Sequence, residues 1–181
     1  MMAQIPHTES LSDAFVAIGS NINPRDNIPR ALTMLNAYLP VAAISNFYKT
    51  AAVGPSAQPD FFNGVVKIRT AHQPREIKFD ILRKIEERLG RVRSADKFAP
   101  RTIDLDLILC GTLVIDEPGL VLPDQAIRHY PFVAIPLREL APDLPLPDTR
   151  TLLSAEPVMI RTSELQLQPE FTDYLRCLVL S

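Results

Sequence analysis

The first apolar run, Ala14 to Ile18, stops at Gly19-Ser20-Asn21, the pattern of a buried strand meeting a turn. Ile28, Ala31, Leu32, Leu35 and Leu39 then recur at helical spacing, with Asp26 placed to cap the helix and Pro40 placed to end it. Pro29 falls within the first turn of that helix, where a missing N–H is tolerated. Val41 to Thr50 reads as a second strand, and Ala51 to Asp60 as a loop punctuated by Gly54, Pro55 and Pro59. Phe61 to Thr70 reads as a third strand, with Val66 and Ile68 facing away from Lys67 and Arg69. Pro74 opens a second helix carrying Ile77, Ile81, Leu82, Ile85 and Leu89 on one stripe, and Gly90 closes it. A basic loop, Arg91 to Arg101, leads to a fourth strand, Thr102 to Leu109. Cys110-Gly111 turns that strand into a fifth, Thr112 to Ile115.

This order, β-α-β-β-α-β with a hairpin extension, predicts a ferredoxin-like α+β sandwich: an antiparallel sheet with both helices packed on one face. After Asp116 the chain is rich in proline as far as Asp148, with a helix predicted around Pro131 to Leu140. The C-terminal additions are harder to place, although Gln168 to Leu180 has the makings of a docking helix.

Composition narrows the field. A length of 181 residues suits one domain with a real core, and a net charge of −2 advertises neither nucleic acid nor an anionic membrane. Any polyanion must be gripped locally. Cys110 and Cys177 are too few for a disulfide framework and lack metal-site spacing, which points to reduced thiols and a cytoplasmic protein. No apolar run reaches the ~20 residues of a membrane helix. The three histidines, His7, His72 and His129, show no metal-ligand spacing, and no glycine-rich phosphate loop or dinucleotide motif is present.

Chemistry concentrates in one stretch. On a strand, Asp104 and Asp106 project to the same face, while Ile103, Leu105 and Leu107 turn to the core. Two carboxylates so close repel unless a cation sits between them, and hard oxygen ligands suit magnesium. Arg91, Arg93, Lys97 and Arg101 put four cations just ahead of that pair. Acids to hold metal beside cations to hold phosphate are the equipment of phosphoryl transfer.

From Phe15 to Asp148 the chain resembles the 6-hydroxymethyl-7,8-dihydropterin pyrophosphokinases. The resemblance is carried by AIGSN, FYKTAAVGPSAQPDFFN, IEERLGRVR and above all PRTIDLDLIL. It implies diphosphoryl transfer from ATP to hydroxymethyl-dihydropterin with release of AMP, two magnesium ions on Asp104 and Asp106, and catalytic roles for Arg91 and Arg101. It further implies nucleotide contacts at Glu86, Arg93, Lys97, Phe98 and Leu107. Pterin contacts are implied at Thr50, Val53 and Asn63, and between the rings of Phe61 and Phe132. The expected organisation is a disordered extension over 1–13, the pyrophosphokinase domain over 14–153 and a C-terminal tail over 154–181, acting as a monomer. Departures cluster after Pro123, where Asp124 and Tyr130 replace the family's usual His and Arg. Arg128 and His129 are near enough in sequence to compensate. The alternatives are a diverged paralogue with altered nucleotide or pterin preference, or a pterin-binding module without transfer. The paired acids argue against the module, because a neutral pterin needs none.

Overall fold

The computed structural model describes residues 11–53, 58–93, 96, 99–158 and 165–180. The extension as far as residue 10 lies outside the described residues. A long antiparallel pair forms the centre: β1 (Ser12–Ser20) against β4 (Phe61–Thr70), in register from Ser12 opposite Thr70 to Ser20 opposite Phe62. β5 (Asp104–Cys110) flanks β1 on the other side and is the outermost strand there. Alternation along β1 divides two cores. Ala14, Val16 and Ile18 join one, and Phe15 joins the other.

The first core lies beneath helices α1 (Pro24–Tyr38) and α2 (Arg83–Arg88). Asn23, not Asp26, forms the start of α1. It adopts a left-handed conformation with φ 43°, which asparagine tolerates, and Pro24 takes the first helical position. Asp26 sits within the first turn, where its charge suits the helix dipole, and Pro29 lies inside the helix instead of in that turn. Ahead of α2, Glu76–Leu82 is π-helical, its turns widened so that the Arg83 N–H reaches the Lys78 carbonyl five residues back.

The expected second strand is two strands, β2 (Val41–Ile44) and β3 (Tyr48–Thr50), both paired with β4. Between them Ser45 keeps β4 satisfied, donating its N–H to the Val65 carbonyl and accepting the Val65 N–H on Oγ at 2.9 Å. Phe47 then lays its ring over Gly64, where a Cβ would lie 2.7 Å from the ring. The fifth strand is likewise displaced. Gly111 donates its N–H to Asp13 of β1, so no hairpin forms at Cys110-Gly111. The hairpin comes later, β6 (Ile115–Glu117) with β7 (Leu120–Leu122), turning at Gly119 with φ 80°.

The other face of the sheet carries α3 (Ala126–His129) and α4 (Pro131–Leu140), whose Val133 and Leu137 cover Phe15, Val65 and Ile108. Helices therefore cover both faces of the antiparallel sheet. The tail returns to the first face. β8 (Gln166–Leu167) pairs with β3, and α5 (Pro169–Leu180) buries Phe171 and Leu175 against the first core.

Candidate functional site

A cavity of about 410 Å³ opens on the second face of the sheet, where β1, β4 and β5 meet α3 and α4. Its floor follows from register. Gly19 stands opposite Asn63 of β4 on one side and Asp104 of β5 on the other; Ala17 stands opposite Val65 and Asp106. Small residues along the middle strand leave the space, and large or polar ones on its neighbours furnish the walls. A Cβ on Gly19 would come within 2.9 Å of Asn63 Oδ1, so the glycine is what lets that amide settle into the row.

One end of the cavity is amide and aromatic. Asn63 donates Nδ2 to Thr50 Oγ1 at 2.8 Å, both residues being buried. Phe61 and Phe132 face the space, with exposed Val53 at the mouth. Phe132 is backed by Tyr130, the rings stacked at 5.0 Å with 19° between planes.

The other end is ionic. Asp104 accepts from Arg101 and lies 3.5 Å from Arg91 Nη2. The Arg91 side chain is only 10% exposed, and its Nε has no hydrogen-bond partner among the described residues. Burial pulls that guanidinium's pKa down, and Asp104 works against the shift. Asp106 is pushed up to about 6, first by loss of solvent and then by Asp104, with Asp124 and Glu86 adding to it and Lys78 opposing. Half of its side chain still faces the open cavity, but the surrounding walls and carboxylates deprive it of bulk water. Asp124 lines the same space, accepting the Ala126 N–H at 2.8 Å as it turns the chain into α3.

The remaining candidates stand one layer back. Glu86, 2% exposed, accepts the Leu105 N–H at 2.9 Å and pairs with Arg93. Burial raises its pKa, and the Leu105 bond partly reverses that. Leu107 is fully buried in the first core, so its side chain turns away from the cavity. Lys97 and Phe98 lie outside the described residues. Arg128 does not compensate for the changes after Pro123. It pairs with Glu156 and, at 2.9 Å, with Asp148, which fastens the 148–156 segment to α3. His129 hydrogen-bonds the Gln125 carbonyl and does not line the cavity.

One contributor escaped the sequence reading. Asn21 accepts the Arg101 N–H on Oδ1 at 2.7 Å and donates Nδ2 to Gln58 and to the Pro59 carbonyl. Its backbone N–H also reaches the Arg101 carbonyl. A single side chain thus ties together the two loops that flank the cavity. The only sequence signal was an asparagine directly after a strand and turn.

Fold and cavity together define the class: an α+β scaffold in which a recess lined by the Asn63 amide and the Phe61 and Phe132 rings adjoins carboxylates and guanidiniums. The family model for 7,8-dihydro-6-hydroxymethylpterin-pyrophosphokinase matches residues 15–142. A Pseudomonas aeruginosa 2-amino-4-hydroxy-6-hydroxymethyldihydropteridine pyrophosphokinase is 42% identical over 142 residues, 76% of this chain and 86% of that protein. The proteins of the same description from Synechocystis (40% over 133 residues, 72% of this chain and 67% of that one) and Haemophilus influenzae (38% over 144 residues, 77% and 88%) are similar in the same way. The chain belongs to the 7,8-dihydro-6-hydroxymethylpterin-pyrophosphokinase family.

Proposed function

We propose that this protein transfers the diphosphoryl group of ATP to 6-hydroxymethyl-7,8-dihydropterin, a step of folate biosynthesis. The observation that carries the proposal is the adjacency of the two ends of one cavity. Asn63 and Asp104 share a cross-strand row, so a planar ring read at one end has its substituent delivered to the ionic end. In the reaction the hydroxymethyl oxygen gives up its proton to water and bonds to the β-phosphorus. The bond from that phosphorus to the oxygen bridging the α-phosphorus breaks, and AMP leaves.

Asp104 and Asp106 would hold magnesium. The donor set fits a hard divalent ion: two carboxylates on one strand face, in a cavity roomy enough for phosphate oxygens and water. No group of three or more acidic, histidine or cysteine side chains with metal-holding geometry occurs among the described residues, so phosphates and water would complete the shell. The metal would neutralise the triphosphate and make its phosphorus more electrophilic. Arg91 and Arg101, which stand beside Asp104, would turn to the phosphates and stabilise charge as it moves to the leaving group. The unsatisfied Nε of Arg91 supports this, since a buried donor without a partner awaits an anion.

Thr50 and Asn63 would read the edge of the pterin, with Phe61 and Phe132 on its faces and Val53 at the rim. Glu86 would act through its grip on the Leu105 N–H and Arg93. The protein would work as a monomer in the cytoplasm. Quantifying products decides the reaction: AMP and pterin diphosphate should appear in equal amounts, only with magnesium and only when pterin is present. ADP with a pterin monophosphate would refute it, and pterin binding without turnover would favour the binding module.

A further inference from the structure

We propose that Lys78 is a phosphate-binding residue of this site, gripping ATP beside Asp106 while Arg91 and Arg101 stand beside Asp104. This rests on the function proposed above. Lys78 belongs to the π-helical segment Glu76–Leu82, and its own carbonyl accepts the Arg83 N–H of the widened turn. Such turns insert a residue and re-aim the side chains around them, and they recur at functional sites. Here Ile77, Ile81 and Leu82 stay in the core while Lys78 runs alongside them. Its side chain is only 16% exposed, and its ammonium emerges 3.8 Å from Asp106 Oδ1. A covered stem with a charged tip brought to one spot is the habit of a lysine that reaches past apolar neighbours to a polar target.

Two further observations give the tip its task. A separation of 3.8 Å is too long for a hydrogen bond, so Asp106 attracts the ammonium without occupying its donors, and no described residue hydrogen-bonds it. The carboxylate pair is also unevenly served. Asp104 has Arg91 and Arg101, whereas the stretch after Pro123 offers Asp106 only a further carboxylate, Asp124, because Arg128 is held by Asp148 and Glu156. β5 is the outermost strand, so a side chain from the helical layer can pass its edge and reach the other face. Lys78 brings to Asp106 from that edge a cation that the 124–130 segment, with Arg128 held elsewhere, does not bring.

Binding separates this role from a structural one. Titrations of Lys78→Met, Lys78→Arg and the wild type would use AMP and the non-transferable α,β-methylene analogue of ATP, at saturating magnesium. Loss of a charge-assisted phosphate contact should weaken the ATP analogue on the order of tenfold in Lys78→Met. AMP, which lacks the outer phosphates, should bind within about twofold of wild type, and Lys78→Arg should restore most of the loss. Equal weakening of both nucleotides, no weakening of either, or no recovery in Lys78→Arg would overturn the assignment. A wild type that releases AMP normally beside an unaffected Lys78→Met would sink this role and leave the reaction standing. A wild type that binds no ATP analogue would sink both.

Discussion

At the scale of single residues, the two aspartates of β5 are unlike. Asp104 has two guanidiniums beside it, whereas Asp106 is raised to about 6 by desolvation and by its neighbours' charge. An acid raised in the folded state keeps its proton where the unfolded chain has lost it, so folding is penalised as pH climbs between the two values. Without metal, the contribution of Asp106 to stability should therefore fall between its ordinary 3.8 and about 6, with the full penalty above that. Asp106→Asn should raise the metal-free melting temperature at about pH 7.5, with the gain shrinking as pH falls toward about 4. Melts across pH check this, and a gain independent of pH would contradict it. Saturating magnesium should stabilise the wild type and reverse the order. Gly19 offers a second test. In Gly19→Ala the new methyl would sit 2.9 Å from Asn63 Oδ1. It should weaken pterin binding on the order of tenfold, measured by titration, with much less effect on ATP, because Asn63 must shift while Asp104 is about 4 Å away.

At the scale of elements, the legible parts of the fold were those whose sequence period has one meaning. β4 was legible because Val66 to Arg69 alternates and the stretch lies between Pro59 and Pro74. α4 was too, since Pro131 marks its start. The π-helical segment was not, because Ile77, Ile81 and Ile85 satisfy a four-residue spacing whether or not a turn is widened. Nor was β8, which is two residues long and held by backbone pairing alone. The same distinction governs the site. Asp104 and Asp106 could be paired from a period of two, but the approach of Lys78 to Asp106, and of Asn21 to two loops, exists only once the chain is folded. α5 lies beyond the stretch matched by the family model, yet its Phe171 packs edge-to-face on Phe47 and Phe62 at 5.8 and 5.4 Å. Thr172 Oγ1 accepts the buried Phe47 N–H at 2.9 Å. Phe171→Ala should cost about 3–4 kcal/mol in urea unfolding. A cost under about 1 kcal/mol would mean that α5 merely rests on the domain.

At the scale of the whole molecule, one sheet serves two layers with different duties. The first face is almost wholly apolar and holds α1, α2 and α5. The second divides its area between a smaller core under α4 and the cavity, so its small residues on β1, Ala17 and Gly19, are concessions of packing to space. The row from Asn63 through Gly19 to Asp104 crosses three paired strands, a span of two strand spacings or about 9.6 Å. Antiparallel pairing admits no intermediate values, so this span behaves as a ruler with coarse graduations. Changes in the walls can alter which ring is accepted, but the reach from ring to phosphate is inherited from the hydrogen-bonded backbone. A substrate whose arm is one bond longer or shorter meets a fixed length that side-chain substitution cannot retune.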